Sequence, residues 1–198
     1  GEAVFLVTPS KAWCVTKQLI ASKMLPAAKF LKTVIVPFGG MLDGALAEIK
    51  KRGLNTVAFD PALVDLATGQ KLLNSGLCRA EGLVGEMRLK KYDDEVARIK
   101  KACKIAAQAF DEVFPQIKTG MTEDEVRILM AVAMISRGGG SVPFYIVCFG
   151  GNTADAPHTP QKKRKVKGGG PLLMDFGCFF GGECPGMTGR WGAGEKEA

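Results

Sequence analysis

Asp94-Glu95-Val96-Ala97-Arg98-Ile99-Lys100-Lys101-Ala102 marks the point where the chain changes its hydrophobic period. From here Val96, Ile99, Cys103, Ala106, Phe110 and Val113 recur at steps of three and four residues, which places them on one face of a long helix that Pro115 ends. Thr122-Glu123-Asp124-Glu125 follows as a capping box, in which the threonine hydroxyl and the glutamate three residues on satisfy each other's free amides. A second amphipathic helix is expected behind it, carrying Val126, Leu129, Met130 and Ala133 and stopping at Gly138-Gly139-Gly140. Met121, Met130 and Met134 read as core filler. Strands are then expected over 142–149, over a basic stretch near 163–166, and over 172–176 running on through Phe179 and Phe180. Two helices laid over one face of a mainly antiparallel sheet make this unit α+β.

Upstream, short apolar strands at 4–8, 13–16, 34–36 and 56–59 alternate with helical patterns. Asp43 is expected to cap a helix running through Arg52, with Leu46 and Ile49 inward and Gly53 as its stop, and Pro61 suits a first helical turn. The change of period divides the chain into an α/β domain over 1–85 and the α+β unit over 86–198.

The chain has 198 residues, 46% of them apolar and 24% charged, enough for one large or two small cores. No run approaches the roughly 18 apolar residues of a membrane span, and Gly1-Glu2-Ala3-Val4-Phe5 lacks the basic and apolar regions of a leader. A cytoplasmic protein without membrane contact is expected. Because Gly1 is no initiator and 4–8 already reads as a strand, the chain is expected to begin inside a domain. Its six cysteines contain no C-x-x-C pair, which suits small buried hydrophobes, and neither a zinc ribbon nor a disulfide framework is expected. The net charge of +7 is concentrated in Lys162, Lys163, Arg164, Lys165 and Lys167, so a nucleic-acid partner is not expected.

Several segments of the second unit, taken in order, resemble the pita-bread metallopeptidases, a family that includes creatinase, aminopeptidase P and prolidase. Residues 94–102 resemble its opening helix, and Ile117-Lys118-Thr119-Gly120-Met121-Thr122-Glu123 resembles its turn into the second helix. Phe149-Gly150-Gly151-Asn152 followed by Pro157-His158 resembles the segment with an active-site histidine, and Leu172-Leu173-Met174-Asp175-Phe176-Gly177 resembles the strand with the first metal ligand. The first unit is similar to the amino-terminal domain of the aminopeptidase P, prolidase and creatinase branch, with its early part missing. The fold so implied is an α/β amino-terminal domain followed by part of an α+β pita-bread catalytic domain.

The resemblance implies two divalent ions such as Mn²⁺ in a cage of carboxylates and one histidine, activating a bridging water against a peptide bond beside proline. It makes Asp175 the first ligand. Where the family shows a second aspartate before Met-Thr-Arg, this chain reads Cys184-Pro185-Gly186-Met187-Thr188-Gly189-Arg190, so Gly186 holds that position. The later histidine and glutamates have no counterpart before Ala198. A lone carboxylate binds divalent ions weakly, so no stoichiometric metal and no peptidase activity are expected. His158 keeps a vestigial substrate-binding position, and Asp175, costly if unpaired within an apolar strand, is expected to find a hydrogen-bonded structural role.

Two further readings stay open. One is a pseudoenzyme whose unfinished sheet edge serves self-association or a protein partner, with a proline-containing peptide implied by the resemblance alone. The other is metal-free hydrolysis of the creatinase kind, with His158 moving the proton. The run 161–167 matches a nuclear-import signal but reads first as a solvated basic strand. Asp175-Phe176-Gly177 also spells a kinase magnesium motif, and the absence of a His-Arg-Asp segment excludes that reading.

Overall fold

A computed structural model describes residues 3–24, 30–155 and 164–193. They form two units, Gly1–Leu89 and Lys90–Ala198. The division falls past Gly85 because a helix, Leu83–Leu89, runs across that point.

In the first unit β1 (Ala3–Val7), β2 (Ala12–Lys17) and β3 (Lys32–Val36) form a sheet in that order, β1 antiparallel and β3 parallel to β2. Parallel neighbours need a crossover, and helix α1 (Gln18–Met24) directly follows β2. Helix α2 (Met41–Lys51) packs Ala45 against Leu6, Trp13 and Val15. It can approach so closely because residue 44 is glycine: a Cβ there would lie 2.5 Å from Val36 Cγ1. The helix begins earlier than expected. Gly40 is its N-cap, and Asp43, inside the first turn, pairs instead with Lys71.

Helix α3 (Leu66–Asn74) links the parallel two-residue strands β4 (Ala58–Phe59) and β5 (Cys78–Arg79), so the strand expected over 56–59 is shorter than its apolar pattern. Pro61 opens a short 3-10 turn, Pro61–Leu63, whose first free amide, that of Ala62, donates to Asp60 at 3.0 Å. Asp65 caps α3 in the same way, accepting from Thr68 N at 2.9 Å. Helix α4 (Leu83–Leu89) closes the unit.

The second unit opens with α5 (Asp93–Val113), which buries Ala102, Ile105, Ala106, Ala109 and Val113. Cys103, expected on this face, is exposed. A line drawn at alternating steps of three and four has a period of 3.5, and on a straight helix it drifts by about 20° per heptad. Of the six cysteines only Cys14, Cys148 and Cys178 are buried, while Cys78 and Cys103 are exposed. Limited alkylation followed by peptide mass mapping is therefore expected to label Cys78 and Cys103 first; early label on Cys14 or Cys178 would contradict the packing.

Helix α6 (Glu123–Ser136) starts at the capping box: Glu125 N donates to Thr122 Oγ1 at 3.1 Å, and Thr122 N donates to Glu125 Oε2 at 2.7 Å. It buries Val126, Met130, Ala133 and Met134, and the chain turns away at Gly138 with φ of +88°.

The sheet is an antiparallel meander of β6 (Phe144–Phe149), β7 (Gly170–Gly177) and β8 (Gly186–Ala193). β6 starts after Pro143, which has no amide for the ladder. β7 stops at Gly177, so Phe179 and Phe180 lie outside it; Phe180 and Glu183 bridge a turn at Gly181 and Gly182, both with positive φ. The basic stretch joins no sheet: an isolated bridge from Lys165 to Thr122 and backbone hydrogen bonds of Arg164 and Val166 tie it to residues 120–123, and Lys162 and Lys163 lie outside the described residues. Helix side chains Ile105, Ala109, Val126, Met130 and Met134 share one core with Val147, Leu172, Met174 and Phe176 of the sheet. Phe110 joins the layers, its ring 4.9 Å from that of Phe114 and 4.5 Å from that of Trp191. Among the described residues no helix is long and apolar enough to cross a membrane.

Candidate functional site

Side chains alternate across a sheet, so burying Val147, Met174 and Phe176 under the helices turns their neighbours to the other face. Register arranges those neighbours in three rows: Phe144, Gly177 and Gly186; Ile146, Asp175 and Thr188; Cys148, Leu173 and Arg190. Asp175 and Gly186 therefore share one face as diagonal neighbours.

Asp175 is half-buried, and its Oδ1 accepts from the Thr188 hydroxyl at 2.9 Å. Gly186 offers no donor, and the Phe144 ring occupies the space beside it. A Cβ at Gly186 would lie 3.1 Å from Phe144 Cζ, and one at Gly177 would lie 2.6 Å from the same atom. The ring thus covers two adjacent glycines that leave the pleat without side-chain bulk.

Arg190 stands on the opposite diagonal from Asp175. It is exposed, and its Nη2 reaches Thr153 O in helix α7 (Asn152–Asp155) at 3.4 Å. Next to it, Gly189 is bare because the Trp191 indole lies against it, within 2.4 Å of where a Cβ would stand. The strand therefore places an arginine on the Asp175 face and an indole on the helix face. Sequence reasoning passed over Arg190, although alternation from Gly186 through Thr188 was a signal that could have found it.

The turn leading out of β6 is held from an unexpected side. Glu123, 3% exposed, accepts from Phe149 N at 2.6 Å and from Asn152 Nδ2 at 3.1 and 3.2 Å. Its own amide donates to Arg164 O at 2.9 Å, and Arg164 Nη1 reaches Phe149 O at 3.3 Å. One residue thus joins the start of α6, the turn after β6 and the chain at Arg164. Burial first, and then the Glu123 charge, push the Cys148 thiol up against the opposing effect of Arg164, so it stays protonated and is no nucleophile at neutral pH. His158 lies outside the described residues.

The donor set on this face does not fit a pair of divalent ions. The resemblance would take its two carboxylates from Asp175 and from residue 186, which here is glycine, and the guanidinium of Arg190 on the same face repels a cation. Among the described residues no three His, Cys, Asp or Glu side chains are grouped to hold a metal.

Two helices over an antiparallel sheet, with the site on the face opposite them and an α/β unit ahead in sequence, define an α/β amino-terminal domain followed by part of a pita-bread α+β domain. Metallopeptidase family M24 matches residues 97–198, and the chain belongs to that family. It is similar to the uncharacterized peptidase YqhT of Bacillus subtilis (strain 168), 24% identical over 159 residues that cover 78% of this chain and 45% of that protein. Among solved structures it is similar to an Xaa-Pro dipeptidase from Bacillus anthracis, with TM-score 0.87 and 25% identity over 98% of this chain and 56% of that one. An X-Pro aminopeptidase from Thermotoga maritima MSB8 gives TM-score 0.85 and 25% identity, again over 98% and 56%. The chain thus spans about half the length of the relatives it matches.

Proposed function

We propose that this chain is an M24 domain related to Xaa-Pro peptidases that does not carry out two-metal peptide hydrolysis. The observation that carries this reading is Gly186: it occupies the second-ligand position by resemblance, lies diagonal to Asp175 on one face of the hairpin, and has no side chain. Activation of water between two cations needs donors on both sides of the pair, and this hairpin supplies one carboxylate. The Thr188 hydroxyl, which already donates to that carboxylate, adds no charge.

The test is direct. The purified chain, incubated with an Xaa-Pro dipeptide and Mn²⁺, is expected to release no proline above the protein-free blank. Turnover anywhere in the usual enzymatic range of about 1 s⁻¹ or faster would refute the reading.

A further inference from the structure

We propose that a groove at the carboxyl ends of β4 and β5 binds a small monocarboxylic acid with one branched chain or one ring. Arg79 holds the carboxylate, and Phe59, Val64 and Leu73 hold the apolar body.

β4, α3 and β5 form a βαβ unit within the first unit of the chain. In open α/β sheets ligands bind outside the carboxyl ends of the strands. Register sets Phe59 opposite Arg79, each the last residue of its strand, so both side chains leave the same face. Helix α3 lies on that face: a Cβ at Gly69 would stand 3.8 Å from Phe59 Cε2 and 3.6 Å from Val64 Cγ2. Because residue 69 is glycine, the helix carries no side chain there, and a groove of about 100 Å³ lined by these residues stays open.

Volume and lining set the apolar part of the ligand. An enclosed cavity of about 150 Å³ with aliphatic and aromatic walls holds benzene, so a groove of about 100 Å³ with an open mouth admits one branched chain or one ring. Phe59, Val64 and Leu73 are half-buried and offer no polar side-chain atom. Leu66, which also lines the groove, is 89% exposed and gains by being covered.

Charge sets the other end. Arg79 is exposed, and among the described residues no carboxylate pairs with it, so its planar fork is free to take a carboxylate in bidentate form. Asp65 lines the same groove but keeps both oxygens on Thr68: Oδ1 accepts from the amide at 2.9 Å and Oδ2 from the hydroxyl at 2.7 Å. Its charge remains and opposes a second negative charge, which favours a monoanion over a dianion.

The probes are isocaproate, benzoate, isocaproamide, acetate and inorganic phosphate, each titrated into the ¹⁵N-labelled chain while the Gly69 amide and Arg79 Nε are followed by NMR. Isocaproate and benzoate are expected to saturate with Kd on the order of 10⁻³ M, usual for ligands of so few atoms. The amide, acetate and phosphate should each bind about tenfold more weakly, the scale of one lost charged hydrogen bond or of an unburied alkyl body. Arg79→Gln should remove the difference between isocaproate and its amide. Arg79→Lys, which keeps the charge, should bind isocaproate more tightly than Arg79→Gln and so separates a charge effect from altered folding. Gly69→Ala sets a methyl group over the groove floor at a helical position that favours alanine, so the chain stays folded. It should weaken isocaproate binding about fourfold, the scale of one methylene kept out of the groove, and leave acetate unchanged. Absence of saturable shifts with isocaproate, equal binding of the acid and its amide or of isocaproate and acetate, or unaltered isocaproate affinity in Gly69→Ala would each overturn the proposal.

Discussion

Replacing Glu123 with alanine is expected to destabilise the second unit by about 3 kcal/mol, since each buried polar group left without a partner costs about 1–3 kcal/mol. The carboxylate is the acceptor for both Phe149 N and the Asn152 side chain, and Asn152 is itself buried. Alanine leaves both donors without the acceptor that Glu123 supplies. The informative comparison is Glu125→Ala two residues on, which removes the exposed half of the capping box and should cost clearly less. Both substitutions replace glutamate by alanine in the first turn of α6, so the shared change in helix propensity cancels in their difference. Denaturant unfolding followed by a probe in the second unit would measure both. A Glu123→Ala loss no larger than that of Glu125→Ala would mean that the network joining α6, the turn after β6 and Arg164 contributes little.

That contrast also shows what local pattern can and cannot reveal. The capping box was legible because its two partners lie three residues apart and the motif specifies both bonds. Glu123 reads locally as an ordinary first-turn acid, and its partners lie 26 and 29 residues away, a separation for which no local pattern exists. The same distinction runs through the fold. The period of α5 gave the helix, but a line with the 3.5-residue period put Cys103 inside, whereas the straight helix buries Ile105 and Ala109. β8 escaped notice because three of its eight residues are glycine; its strand character comes from the ladder with β7 and from Trp191 packing on the helix side. Asp175 and Gly186 were legible as ligand positions only through resemblance. Register then supplied the geometry: a shared face, a diagonal, and Arg190 on the other side.

Gly186→Asp is expected to give the chain a divalent-cation affinity on the order of 10⁻³ M, comparable to the weakest calcium modules, where the unsubstituted chain shows none that saturates. Residue 186 has no positive φ, so an L side chain is tolerated by the backbone. Its Cβ would meet Phe144 Cζ at 3.1 Å, a contact relieved if the ring moves by a few tenths of an ångström. The new carboxylate would share its face with Asp175 as a diagonal neighbour, and like charges so placed repel until a cation lies between them. Mn²⁺ should therefore stabilise the variant more than the parent, because an ion that binds the folded state alone raises its stability by linkage. Adding Arg190→Gln removes a positive charge about 7–8 Å from Asp175, and for a divalent ion at the dielectric of water that repulsion is about 1 kcal/mol, or roughly fivefold in affinity. Paramagnetic broadening of the Thr188 and Met187 amides at rising Mn²⁺ would measure both steps. If the first substitution adds no broadening at these amides while the protein stays folded, Gly186 does not stand where the second donor belongs. If the first step succeeds and the second adds nothing, Arg190 does not govern the charge of this face.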